Sequence, residues 1–290
     1  MLVKQEFEFR SWKSEPIENA VPAINTPCPV TITKVPHTFI VKARCITGTR
    51  FAIVGKTRAM IAKNKSKVRA YLTEDPTNWP RDCVIRYPSK FERSIDLLHD
   101  AAKAAVVGEQ GRAESKYLIS QMDDLEMRSW FDEMAQNAGK VRLEILGRKP
   151  KAPIGRSSNK RPSKREELPI ITRDGFHCRY CGIRIVPNEQ LKKLQKIVGY
   201  ETLPDRSQAL RRTKNTDIHG IWLLTRATVD HVEPVSRGGP DVNREENLVA
   251  CCWPCNYAKW SYTIQDLELD HPGEQSAKIN DWCGLMDFLP

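Results

Sequence analysis

Two Cys-x-x-Cys pairs, Cys178-Arg-Tyr-Cys181 and Cys252-Trp-Pro-Cys255, stand about seventy residues apart in a chain of 290. Four thiolates complete the tetrahedral shell of one zinc ion, so the two pairs predict a closed site that draws distant stretches together. From Thr228 to Trp260 the chain reads TVDHVEPVSRGGPDVNREENLVACCWPCNYAKW. Arg226–Val232 alternates as a short strand and is stopped by Pro234, which has no N–H for a ladder. Ser236–Asn243 carries Gly238, Gly239 and Pro240, which is loop chemistry. Leu248–Cys252 is a second, wholly apolar strand, and Cys255 onward reads as a helix with Tyr257, Trp260 and Ile264 on one stripe. Such a strand–loop–strand–helix unit is too small to fold on its own core, and zinc is the expected staple. The chain opens MLVKQEFEFR, without the apolar run of an export signal, so reduced thiols and a cytoplasmic location are expected.

These residues resemble the HNH endonuclease family in its zinc-stapled form. That pattern runs C-x2-C, D-H-x-x-P-x-x-x-G-G, N-L and C-x2-C-N-x-x-K. The chain supplies Cys178/Cys181, Asp230-His231, Pro234, Gly238-Gly239, Asn247-Leu248, Cys252/Cys255-Asn256 and Lys259. About fifty residues separate Cys181 from Asp230, far more than the family's short connection, so an insertion is expected at about 183–222. The resemblance implies a ββα-metal fold over about 175–260. It also implies a metal held by the positions of Asp230 and Asn256, a base at His231, and an Asn247 that braces the loop and orients the imidazole.

The chemistry suits those residue types. Phosphodiester hydrolysis needs an activated water and neutralised phosphate charge. An imidazole titrates near working pH and can serve as general base. Carboxylate and amide oxygens are the hard ligands that Mg²⁺ or Mn²⁺ prefers. Neighbours on a regular strand point to opposite faces, however, so Asp230 and His231 serve one phosphate only where the strand breaks. Singly, each residue has a plainer reading: a surface Asp-His pair, an Asn helix cap, a solvated lysine. Lys259, one turn beyond Asn256, is expected to face the same way and touch phosphate. His177 and Cys251, beside the knuckles, read as packing residues.

Charge is unevenly placed. Net charge is +10 overall, but residues 148–165 hold eight basic and no acidic residues, whereas 166–290 net −3. The grip on a polyanion is therefore expected outside the nuclease domain. The candidates are Arg148, Lys149, Lys151, Lys160, Arg161, Lys164 and Arg165 in a Pro- and Ser-rich linker. Asn19–Thr73 adds ten basic residues and no acidic one. In the insertion, Arg206, Arg211, Arg212 and Lys214 suggest a DNA-facing flap.

The expected organisation is α+β throughout. A basic accessory domain of no recognised family spans 1–147, a flexible linker 148–165, and the nuclease domain 166–290. Within the first, Met1–Pro36 reads as irregular because of its prolines. Thr38–Cys45 and Arg50–Val54 read as a hairpin, and Lys56–Leu72, Lys90–Val107 and Glu114–Asn137 as helices, the last closed by Gly139. Cys83–Tyr87 and Val141–Leu146 read as short strands, and Trp79, Trp130 and Phe131 as core. In the second, Glu166–Asp174 and Glu189–Val198 read as helices, Ile221–Leu224 as the lead into the hairpin, and Thr263–Leu269 as a continuation of the last helix. The functional expectation is a metal-dependent DNA endonuclease, RNA not being excluded. The alternatives are a non-catalytic zinc-dependent nucleic-acid-binding protein, or the nuclease effector of a larger assembly such as an antiphage system, with a protein partner on residues 1–147. No apolar run approaches the length of a membrane span.

Overall fold

A computed structural model describes residues 30–35, 38–44, 50–56, 58–72, 75–149, 164–205, 218–240, 245–274 and 281–289. Side chains are described from Lys65 onward, except those of Lys164, Arg165 and Glu245. The chain forms two compact units, Met1–Ile61 and Ala62–Pro290. No helix among the described residues is long and apolar enough to cross a membrane.

The first unit holds an antiparallel three-stranded sheet of β1 (Val30–Val35), β2 (Thr38–Arg44) and β3 (Arg50–Lys56), in the order β1-β2-β3. The expected hairpin is β2–β3. Val30–Val35, expected to be irregular, is instead an edge strand, the place where flanking prolines do least harm to a ladder.

The second unit begins in α1 (Arg58–Tyr71) and continues through α2 (Phe91–Ala105), α3 (Gly108–Ser120), α4 (Asp124–Trp130) and α5 (Ala138–Ile145). Then come α6 (Lys164–Arg173), α7 (Asn188–Val198), α8 (Gly220–Thr225), β4 (Ala227–His231), β5 (Leu248–Cys252), α9 (Trp253–Lys259) and α10 (Ile264–Leu267). One continuous apolar core runs from Val68 to Leu289. The expected division at 147 therefore differs from the compact units: α2, α3 and α4 pack on α7 and α8, and α5 packs on α9 and α10.

Two expected strands are absent, for one shared reason. Val141–Leu146 lies mostly in helix α5, which buries the Arg142 guanidinium beneath the bend at 81–85. Its Nη1 donates to the carbonyls of Pro80 at 2.8 Å, Cys83 at 3.2 Å and Val84 at 3.4 Å, and its Nη2 to Glu268 O at 3.2 Å. A guanidinium with five donors thus satisfies carbonyls that a ladder partner would otherwise have to satisfy. Burial pulls its pKa down to about 10, so it remains a cation at neutral pH.

Gly139 is a second correction. It lies inside α5 rather than ending a helix, and a Cβ there would overlap the Ala258 carbonyl oxygen of α9. The expected 114–137 helix is divided at Gln121–Asp123 and again by a wider π-type turn at Phe131–Ala135. There Phe131 is buried against Trp253 and Tyr257, with ring centroids 5.8 and 5.7 Å apart.

The insertion is not a solvent-facing flap in its described parts. Helix α7 buries Leu191, Leu194 and Val198, and every residue of α8 is buried. His219 caps α8 by accepting the Ile221 amide on Nδ1 at 3.2 Å. Burial, reinforced by the nearby Arg128 charge, pushes its pKa down to about 3, which keeps that acceptor neutral. Asp124 of α4 accepts the Gly220 amide, tying the insertion to the preceding helices. Arg206, Arg211, Arg212 and Lys214 lie outside the described residues.

Candidate active site and metal cluster

Strands β4 and β5 pair antiparallel from Ala227↔Cys252 to His231↔Leu248, and α9 follows β5 without a gap. Pro254 occupies the first turn of α9, where a missing N–H costs nothing. The result is the expected strand–loop–strand–helix unit. Its outer edge is satisfied from the first knuckle. Arg179 N donates to Ala250 O at 2.9 Å, and Ala250 N donates to buried Asp174 at 2.7 Å.

The four cysteines converge. The sulfurs of Cys178, Cys181, Cys252 and Cys255 all lie within 4.8 Å of one another, and Cys181 and Cys252 Sγ are 3.6 Å apart. Zinc–sulfur bonds of about 2.3 Å in a tetrahedron require sulfur separations of about 3.8 Å, so the cluster fits that ion. In each knuckle a backbone amide donates to the first sulfur at 3.5 Å, Cys181 N to Cys178 and Cys255 N to Cys252. Burial alone would raise all four thiols. Sulfur hydrogen bonds from its three neighbours nevertheless hold Cys178 well below its ordinary value. The other three are pushed up, Cys181 and Cys252 chiefly by burial and Cys255 chiefly by its bonds to the other sulfurs. A dication held by the four sulfurs would offset the cost of burying their charge. The cluster is thus able to hold a metal ion. Cys251 is fully buried, its Sγ 3.2 Å from Thr228 Oγ1, and His177 is buried with Nδ1 2.6 Å from Gly175 O.

Asp230 is 7% exposed, and its Oδ2 accepts the Tyr180 hydroxyl at 2.7 Å and faces Lys259 Nζ at 3.1 Å. Asn256 Nδ2 donates to Thr228 Oγ1 at 3.2 Å and Val229 O at 3.3 Å. Asp230 on β4 and Asn256 on α9 thus belong to two elements that pack on each other, and a carboxylate and an amide oxygen are ligand types that suit a hard cation. His231 is half-buried and next along the strand. The chain leaves the ladder immediately beyond it, where Val232 N donates to Asn247 O at 2.9 Å. Asn247 is buried and braces this loop with both ends of its amide. Its Oδ1 accepts Glu233 N at 2.8 Å, and its Nδ2 donates to Glu233 O at 3.0 Å and Pro240 O at 3.4 Å.

Lys259 overturns an expectation. It is 1% exposed, and besides Asp230 its ammonium donates to His231 O at 2.8 Å. Helix α9 packs close against β4, so a side chain expected on the surface lies beneath the strand. Of the linker cations, Arg148 donates to Gln265 O at 2.6 Å and Asp266 O at 3.0 Å and pairs with Glu268, which ties it to the end of α10. Lys149 is exposed, Lys151, Lys160 and Arg161 lie outside the described residues, and Lys164 and Arg165 begin α6. Tyr180 and Thr228 were missed in the sequence. Tyr180, between the knuckle cysteines, carries the one signal that was there to find, a polar tip on a residue that the metal cluster forces inward.

Residues 214–261 match the family model HNH endonuclease. No curated protein and no solved structure matches the chain. The matched stretch contains β4, β5 and α9 with Asp230, His231, Asn247, Asn256 and Lys259. The C-terminal part of this chain therefore carries an HNH domain, a nuclease-type module that includes half of a four-cysteine cluster and draws the other half from Cys178 and Cys181.

Proposed function

We propose that the chain is a metal-dependent endonuclease that hydrolyses DNA phosphodiester bonds. The observation that supports the reading is the match of 214–261 to the HNH family model, a stretch that holds Asp230 and His231 at the end of β4, Asn256 on the packed helix α9, and Asn247 bracing the loop between the strands. Asp230 and Asn256 would hold Mg²⁺ or Mn²⁺, which when bound supplies Lewis acidity toward phosphate and leaving oxygen. His231 takes the proton of the attacking water as the new P–O bond forms and the ester P–O bond breaks. Lys259 balances the Asp230 charge inside the protein, and Asn247 holds the backbone that presents His231. The four-cysteine cluster would carry zinc and act structurally.

The grip on DNA comes from outside the acidic HNH part. Changing Lys160, Arg161, Lys164 and Arg165 together to Ala is expected to weaken binding and flatten its salt dependence. If all four touch duplex phosphates, the slope of log K against log salt shrinks by about 3.6. Equal slopes would reduce the linker to a spacer.

The deciding experiment incubates the purified full chain with supercoiled, linear and single-stranded DNA, and with RNA, under Mg²⁺, Mn²⁺ or EDTA. Cleavage that needs the divalent ion is the expected result. Absence of cleavage on every substrate and with either ion would leave a non-catalytic zinc module instead.

A further inference from the structure

Trp260 ends helix α9 with φ 50° and ψ −127°, and Tyr262 N donates to Lys259 O at 3.0 Å. Those dihedrals match the first central position of a type II′ turn, a position that ordinarily demands glycine. A bulky aromatic there is a strained outlier. Four non-glycine residues among those described have positive φ. Leu285 is fully buried, Phe176 packs against the core, and Glu268 lies in the left-handed helical basin that L-residues tolerate. Trp260 has neither compensation, being 69% exposed with Tyr262 edge-on at 5.7 Å. Glycine would suit this turn better.

The surroundings of the indole indicate its use. The preceding residue is Lys259, bonded to His231 O and paired with Asp230. The turn is tied to the loop beyond His231 by Arg237, whose Nε donates to Ser261 O at 3.1 Å. An exposed, strained aromatic ring thus follows directly on the lysine that pairs with Asp230 and bonds His231. Exposed aromatic rings are the surface on which proteins stack unpaired bases.

We propose that Trp260 stacks on an unpaired base of the nucleic-acid strand beside the cleaved phosphate. The proposal rests on the nuclease reading and makes Trp260 a substrate-positioning residue. The strain is retained in the free protein because the ring is used by the bound strand.

The test compares Trp260→Gly and Trp260→Phe, each in a His231→Ala background that stops cleavage while leaving the cysteine cluster intact. Melting temperature is measured with affinity for single-stranded DNA, single-stranded RNA and duplex DNA of one sequence. For Trp260→Gly, the melting temperature holds or rises while single-strand affinity falls about 5- to 150-fold, the range corresponding to one stacked base. Duplex affinity changes much less, and Trp260→Phe keeps most of the single-strand affinity. The DNA and RNA arms show which strand supplies the base. Unchanged single-strand affinity in Trp260→Gly overturns the proposal. So does a melting temperature that falls by several degrees and is restored by Phe, which would make the ring structural. A chain with Trp260 intact that binds and cleaves no nucleic acid overturns the nuclease reading as well, whereas one that cleaves while Trp260→Gly binds normally overturns the stacking alone.

Discussion

The cysteine cluster and the oxygen site share β4, β5 and α9, yet they handle charge in opposite ways. Around the cysteines four sulfurs lie within 4.8 Å of one another, and burial raises the Cys181 and Cys252 thiols. At the oxygen site the protein supplies the counter-charge itself, placing the Lys259 ammonium 3.1 Å from buried Asp230. The first arrangement suits a dication held by all four sulfurs. The second neutralises its buried carboxylate with a side chain of the protein.

The largest expected difference is in stability. Structural zinc contributes roughly 10–16 kcal/mol of apparent binding energy that is also folding energy. Cys178→Ser should therefore unfold the unit and release zinc, measured by elemental analysis and circular dichroism. Because α2–α5 share a core with the HNH part, the loss should extend through Ala62–Pro290 in one transition. A surviving folded block at 62–149 would break that claim.

Lys259→Met comes next. It leaves the Asp230 carboxylate buried without its cation, a change that costs about 3–5 kcal/mol. Chemical denaturation measures it, and a loss under 1 kcal/mol would show that the pair is not the internal counter-charge argued here. The double variant Lys259→Met/Asp230→Asn should recover much of the stability, since an amide needs no counter-ion.

His231→Ala should do the reverse, lowering cleavage about 10²–10⁴-fold with little change in melting temperature. Turnover that survives undiminished would remove His231 from the role of base. The smallest structural effect is expected from removing the proposed Mg²⁺ or Mn²⁺. Brief EDTA treatment should abolish cleavage, leave the circular dichroism spectrum unchanged and be reversed by Mg²⁺ alone. If recovery needs zinc, the two sites are not independent in the way their electrostatics imply.

Most of the candidate site was legible because its parts are local. Spacing within Thr228–Trp260 is set by chain geometry, so β4, the glycine loop, β5 and the start of α9 could be read from alternation and turn residues. The stripe Tyr257, Trp260, Ile264 was legible only in part. Its periodicity is genuine, but the chain turns at Trp260, leaving Tyr257 47% and Trp260 69% exposed while Ile264 is buried in α10. The strands expected at Cys83–Tyr87 and Val141–Leu146 failed because short apolar runs are ambiguous between strand and helix. A buried guanidinium, not a ladder, satisfied the carbonyls of the first.

The sequence by itself determined which atoms are available: four thiols in two knuckles, an Asp-His step, two asparagines and a cation-rich linker. These are properties of residue type and short spacing, which local geometry preserves. The tertiary structure alone decided where the charges go. Lys259 is buried because α9 packs against β4, and Gly139 exists to let α5 approach Ala258. The described parts of the insertion became core because α7 and α8 meet helices about a hundred residues earlier. Each of these depends on pairs of residues far apart in the chain, whose contact no local pattern encodes.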